Sequence, residues 1–256
     1  MRLPVQRFGD PDGQELVCLH GLAGYGERFR RLAELLPGRL LVCPDLRGHG
    51  DAGREPPWDT TTHAEDVAET VSAEVETIPD WLGFSFGGRV LARVLASTFG
   101  VEGSERVCLL DPALSLPPAL CSERAAAEIE GQTFASPDKA IEAELSSGLL
   151  HRTPRELLEE EMELNLVSRP DGRLEYRYSR EMAIAAWSEM AREPPPVVDV
   201  ETLIVLGERS WIPVDVERYR LALTKRLSVA RVPGGHSVLW EALEETAAVV
   251  SDFLSA

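Results

Sequence analysis

The sequence predicts an α/β fold: a mostly parallel sheet flanked by helices, with a helical cap inserted between two late strands. Three observations carry that expectation. Apolar runs of strand length alternate with helix-length stretches over residues 1–112 and again over 200–256, the pattern of strands buried on both faces by crossover helices. Between these, residues 113–199 give up the alternation for successive helical patterns, which reads as an insertion into one core rather than a second independent domain. The residues able to do chemistry fall at, or just after, the ends of apolar runs, the rim where open parallel sheets place their sites.

Leu3–Phe8 reads as an edge strand closed by the turn Gly9-Asp10-Pro11-Asp12-Gly13. Glu15–Leu19 is a short buried strand running straight into His20-Gly21-Leu22-Ala23-Gly24. Glu27–Leu36 is an amphipathic helix stopped by Pro37-Gly38, and Arg39–Cys43 is a buried strand. The polar loop Pro44-Asp45-Leu46-Arg47-Gly48-His49-Gly50 follows, in which Asp45 and His49 read as bracing groups that satisfy loop backbone. Thr61–Thr77 is a helix with threonine at its start. An apolar strand from Asp80 then meets a helix running to Gly100, and the strand Val107–Leu110 ends at Asp111-Pro112.

In the insertion, Ser122–Glu130, Pro137–Ser146, Pro154–Leu166 and Tyr176–Arg192 are helical, with a turn at Arg169–Arg173 and a break at Pro194-Pro195-Pro196. Phe134, Trp187 and the leucines around Leu149 are expected to pack the cap interior. Thr202–Leu206 and Leu227–Val232 are strands, with a helix over Val214–Leu223 between them; the loop Pro233-Gly234-Gly235-His236 leads to a last helix over Val238–Leu254.

The formal net charge of −17 argues against nucleic acid and against anionic membrane surfaces, both of which would repel the chain. Cys18, Cys43, Cys108 and Cys121 form no C-x-x-C pair, and the first three lie in apolar runs. Buried free thiols are expected, without disulfides or a metal site. The first residues carry no apolar run of signal-peptide length and no segment is long enough to span a membrane, so the expected location is the cytoplasm.

The centre of the pattern is Gly83-Phe84-Ser85-Phe86-Gly87-Gly88, a G-x-S-x-G run between the strand and the helix. A serine at such a turn is held in a strained backbone with its hydroxyl exposed, and the flanking positions are glycine because neighbouring chain passes too close for a side chain. On its own the pattern is weak; its strand-turn-helix setting gives it meaning.

With His20-Gly21, Asp45–Gly50 and Gly234-Gly235-His236 in the same order along the chain, the sequence resembles the α/β-hydrolase superfamily, and within it the capped esterase and lipase-like serine hydrolases of bacteria. The resemblance implies Ser85 as nucleophile and His236 as general base, with the backbone N–H groups of Leu22 and Phe86 as the oxyanion hole. It implies cleavage of a small-molecule carboxylic ester without cofactor or metal, by a monomer or homodimer. The third member departs from the family pattern. After the strand ending at Leu206 the usual aspartate position holds Ser210, in the run Gly207-Glu208-Arg209-Ser210. Asp111, at the preceding strand end, is the expected acid; Asp215 and Glu208 are the alternatives. A carbon–carbon bond hydrolase, thioesterase or aminopeptidase on the same scaffold, or a non-catalytic small-molecule receptor, stays open at this point.

Overall fold

A computed structural model describes residues 1–97, 106–148, 150 and 152–255. Seven strands form one sheet: β1 (Val5–Gly9), β2 (Gln14–Leu19), β3 (Arg39–Pro44), β4 (Asp80–Phe84), β5 (Arg106–Leu110), β8 (Glu201–Gly207) and β9 (Leu227–Val232), in the order β1-β3-β2-β4-β5-β8-β9. Edge strand β1 is antiparallel to β3 and every other pairing is parallel.

Because successive side chains on a strand point to opposite faces, each strand feeds two layers. Val17, Leu19, Trp81 and Leu109 enter one core, beneath α2 (Thr60–Glu74) and α3 (Phe86–Leu95). Leu16, Cys18, Leu82 and Cys108 enter the other, beneath α1 (Arg30–Glu34) and the C-terminal α10 (Leu243–Ser255). The continuous apolar character of these strands is the cost of burying both faces. The four cysteines are buried free thiols.

The chain leaves β2 outward to β3, then returns across β2 to β4. The order therefore reverses between β2 and β4, and an open sheet presents a crevice at the carboxyl ends of such a pair. The loop after β2 and Ser85 after β4 lie at that crevice.

Between β5 and β8 the chain builds α4 (Pro118–Glu130), α5 (Pro137–Ser146), α6 (Arg155–Asn165) and α7 (Arg180–Met190). It also builds a hairpin, β6 (Leu166–Ser168) with β7 (Leu174–Tyr176), which the helical reading of this segment did not include. Arg169–Arg173 is a turn as expected, but it joins two strands: the Arg169 N–H donates to the Arg173 carbonyl at 2.8 Å. Three residues per strand are too few for a period-two signal to stand out. The expected helix over Tyr176–Arg192 accordingly starts only at Arg180, where the Ser179 hydroxyl accepts the Met182 N–H.

Phe134 packs with Ile141, Leu158 and Met162 in a small cluster inside this segment. Helix α7 instead sends Met182, Ala183, Ala186 and Met190 into the main core, and Trp187 packs half-buried against it. Leu149 and the expected helix end at Gly100 lie outside the described residues.

Smaller differences have local causes. Helix α2 begins at Thr60 because Asp59 caps it, its Oδ1 accepting the N–H groups of Thr61 and Thr62. The last helix is divided at Ala242 into α9 (Val238–Glu241) and α10. Between β8 and β9 lies α8 (Val216–Ala222).

Candidate active site

Ser85 sits at φ 52°, ψ −120°, between the end of β4 and the first turn of α3. This is a strained conformation for a residue with a side chain. It is held from three sides: the Ser85 N–H donates to the Leu110 carbonyl at 3.0 Å, and the Ser85 carbonyl accepts the N–H groups of Gly88 and Ala113, each at 3.0 Å. A Cβ at Gly87 would stand 2.2 Å from the Leu19 carbonyl oxygen, and one at Gly83 would stand 2.8 Å from the Gly88 Cα. Both contacts are with backbone, so no side chain fits at either position.

The Ser85 Oγ lies 2.8 Å from His236 Nε2, and His236 Nδ1 lies 2.6 Å from Asp111 Oδ2. Since a carboxylate only accepts, Nδ1–H donates to Asp111 and leaves Nε2 free to accept the serine proton. The imidazole stacks on the ring of Phe84 at 5.1 Å and lies 5.5 Å from the tilted ring of Trp211. The loop carrying it is fixed by the buried Glu241, whose Oε2 accepts the Gly235 N–H at 2.7 Å. It packs against β8 where Gly207 leaves no room for a Cβ.

Asp111 is fully buried, so its charge needs compensation. It receives three donors. Oδ1 accepts the Gly207 N–H at 3.1 Å, and Oδ2 accepts His236 Nδ1–H and the Ser210 hydroxyl. Ser210, in the position where an aspartate was the usual expectation, therefore donates to Asp111. Nothing in the sequence pairs these residues, which are 99 positions apart. The other two acids lie elsewhere: Asp215 caps α8 by accepting the Arg218 N–H at 3.1 Å, and Glu208 is exposed.

The loop after β2 packs directly on Ser85: a Cβ on Gly21 would be 3.0 Å from the Ser85 Cβ. Among the described residues, the N–H groups of Leu22 and Phe86 meet no protein acceptor. Two buried histidines brace this loop. His20 Nε2 accepts the Leu46 N–H at 2.9 Å, so its proton is on Nδ1, 2.8 Å from the Gly21 carbonyl. His49 Nε2 accepts the Ala23 N–H at 3.2 Å. Burial lowers the pKa of His20 to about 4 and that of His49 well below the usual imidazole range, so both stay neutral. Asp45 accepts the N–H groups of Gly26 and Asp51. The expectation that Asp45 and His49 are bracing groups agrees with these bonds.

A cavity of about 260 Å³ opens beside the triad, lined by Leu22, Ala23, Trp211 and His236 from the core and by Leu150, Met162 and Tyr176 from the segment above it. Among the described residues, no group of three or more histidine, cysteine or acidic side chains is gathered to hold a metal ion. No helix among them is long and apolar enough to cross a membrane.

Residues 16–249 match the sequence profile of the alpha/beta hydrolase family. Lipase LipV of Mycobacterium tuberculosis is 30% identical over 254 residues, covering 97% of this chain and 96% of that protein. A pimeloyl-[acyl-carrier protein] methyl ester esterase of Neisseria meningitidis is 38% identical over 92 residues, 35% of this chain and 34% of that one. Among solved structures, an esterase from Exiguobacterium antarcticum superposes with TM-score 0.79 at 19% identity, covering 98% of this chain and 95% of its own. E-2-(acetamidomethylene)succinate hydrolase superposes with TM-score 0.81 at 21% identity, covering 99% and 95%. The chain belongs to the alpha/beta hydrolase family.

Proposed function

We propose that the protein is a carboxylic ester hydrolase working through an acyl-enzyme on Ser85. The observation that carries this reading is the unbroken relay from the Ser85 hydroxyl through His236 to Asp111, at 2.8 and 2.6 Å. A serine hydroxyl becomes an effective nucleophile only when a base removes its proton as it attacks. His236 takes that proton, Asp111 holds the imidazole in the correct tautomer, and the Leu22 and Phe86 N–H groups receive the developing oxyanion. His236 then protonates the departing alcohol and activates the water that releases the acid. Serine at the elbow, where haloalkane dehalogenases and epoxide hydrolases of this fold carry aspartate, favours acyl transfer.

Residues 113–199 serve as the cap that roofs the site, and the substrate is a small molecule. The four free thiols fit a reducing compartment, the cytoplasm. The test is labelling by a fluorophosphonate followed by peptide mass spectrometry. One adduct on the peptide carrying Ser85, absent from Ser85→Ala and lost on prior denaturation, is the expected result. Absence of any adduct on native protein that is folded by circular dichroism contradicts the reading.

A further inference from the structure

The turn that carries Leu22 is strained. The Gly24 N–H donates to the Gly21 carbonyl at 3.0 Å, so residues 21–24 form a β-turn with Leu22 and Ala23 at its centre. Ala23 takes φ 58° there. A positive φ at the second central position belongs to a type II turn, where glycine is favoured because a Cβ crowds the backbone. A free turn with alanine at that position relaxes to negative φ.

Two side chains hold Ala23 in place. His49 Nε2 accepts its N–H at 3.2 Å, and Asn165 Nδ2 donates to its carbonyl, also at 3.2 Å. The peptide groups on both sides of the strained Cα are thereby fixed. His49 follows β3 in the core, whereas Asn165 is the last residue of α6, in the segment between β5 and β8. Asn165 is 2% exposed. Its Nδ2 also donates to Glu161 Oε1 at 2.9 Å, and since both partners only accept, the orientation of the amide is settled. Glu161 accepts the Tyr25 hydroxyl at 2.9 Å and Arg28 Nε at 3.2 Å, both from the chain just beyond the turn. The end of α6 is tied to the His49 loop as well. The Asn165 carbonyl accepts the Arg177 N–H at 2.8 Å, and the Arg177 carbonyl accepts the Gly50 N–H at 3.1 Å.

We propose that Asn165 is a positioning residue for the oxyanion hole. By holding the Ala23 carbonyl it keeps the turn in its strained form, with the Leu22 N–H aimed at the oxyanion beside Ser85. A segment distant in sequence thus completes the hole. This deepens the ester-hydrolase reading above and rests on it. The Leu22 N–H meets full negative charge only in the transition state, so the effect of Asn165 falls on kcat rather than KM.

The test is hydrolysis of p-nitrophenyl butyrate in a double-mutant cycle with Ala23→Gly. Asn165→Leu should lower kcat by about 10–100-fold, the upper end being the cost of a catalytic group misplaced by about 1 Å, with KM little changed. Glycine adopts positive φ without strain, so a turn carrying it no longer depends on Asn165. In the Ala23→Gly background, Asn165→Leu should therefore cost less than about threefold in kcat. A general disturbance of α6 would cost the same in both backgrounds. Asn165→Asp, which keeps the shape and removes the donor, is measured beside it and read in the same way. A kcat within about twofold of wild type in a variant with the native circular dichroism spectrum, or an equal loss in both backgrounds, overturns the proposal and leaves the hydrolase reading intact. Loss of the native spectrum in both variants marks Asn165 as structural and overturns it too. No turnover by the wild type, with no fluorophosphonate adduct on Ser85, overturns both readings.

Discussion

Ser210 is the residue that joins the two strand-end loops around the buried carboxylate of Asp111. The hydroxyl donates to Asp111 Oδ2, the oxygen that also meets His236, and its oxygen accepts the Ile212 N–H at 3.1 Å. It therefore keeps the buried carboxylate facing the imidazole. Ser210→Ala should lower kcat by about 10–100-fold, the worth of a hydrogen bond to a charge, with little change in KM, and Ser210→Thr should recover most of the loss. Equal kcat in wild type and Ser210→Ala would contradict this role. From the sequence, Asp111 at a strand end was the expected acid and Asp215, a few residues beyond the usual position, the alternative; the fold places Asp111 against His236 and Asp215 on a helix terminus.

His63 makes a separate residue-scale prediction. Among the described residues, neither ring nitrogen has a hydrogen-bond partner, and burial lowers the pKa from 6.5 to about 4. The unfolded chain takes up this proton below about pH 6.5 while the folded chain resists until about pH 4, so stability falls as pH drops through that window. At 1.36 kcal/mol per unit, the loss at pH 5 is about 2 kcal/mol. In urea denaturation, His63→Leu should shrink the stability difference between pH 7 and pH 5 by about that amount. An unchanged difference would show that this histidine titrates normally.

At the scale of elements, the turn carrying Ser85 is over-determined. The strand β4, the helix α3 and the loop after β2 converge so closely that glycine is the only residue their backbones admit at positions 83 and 87. Gly87→Ala should destabilise the fold or displace the elbow, with a loss of more than about 3 kcal/mol typical of severe overpacking and backbone strain. A Gly87→Ala variant with wild-type melting temperature and activity would contradict the geometry. This element was legible because its chemistry is local, with strand, turn and helix contiguous in sequence. The hairpin β6–β7 was not, because strands of three residues leave no periodicity. Helix α7 was placed too early for the same reason: Tyr176 pairs with Leu166, a partner ten positions away that no local pattern names.

At the scale of the whole molecule, the alternation of apolar runs and helices was sufficient for the sheet, and the strand-end chemistry for its active rim. What sequence alone did not disclose is how the inserted segment is tied down. Arg89, buried on α3, donates to the Thr60 hydroxyl and to the carbonyls of Leu114 and Glu193, at the two ends of that segment. The Arg28–Glu161 ion pair was equally hidden, since its partners meet across 133 positions.

Hydrolysis of p-nitrophenyl butyrate by wild type, Ser85→Ala, Asp111→Asn and Asp215→Asn tests the central claim most directly. Ser85→Ala should lose essentially all activity, and Asp111→Asn should lose about 10⁴-fold in kcat, as expected when the histidine is held in the wrong tautomer. Asp215→Asn should remain within a few-fold of wild type, because asparagine still caps a helix. A near-normal Asp111→Asn enzyme beside an inactive Asp215→Asn enzyme would contradict the account.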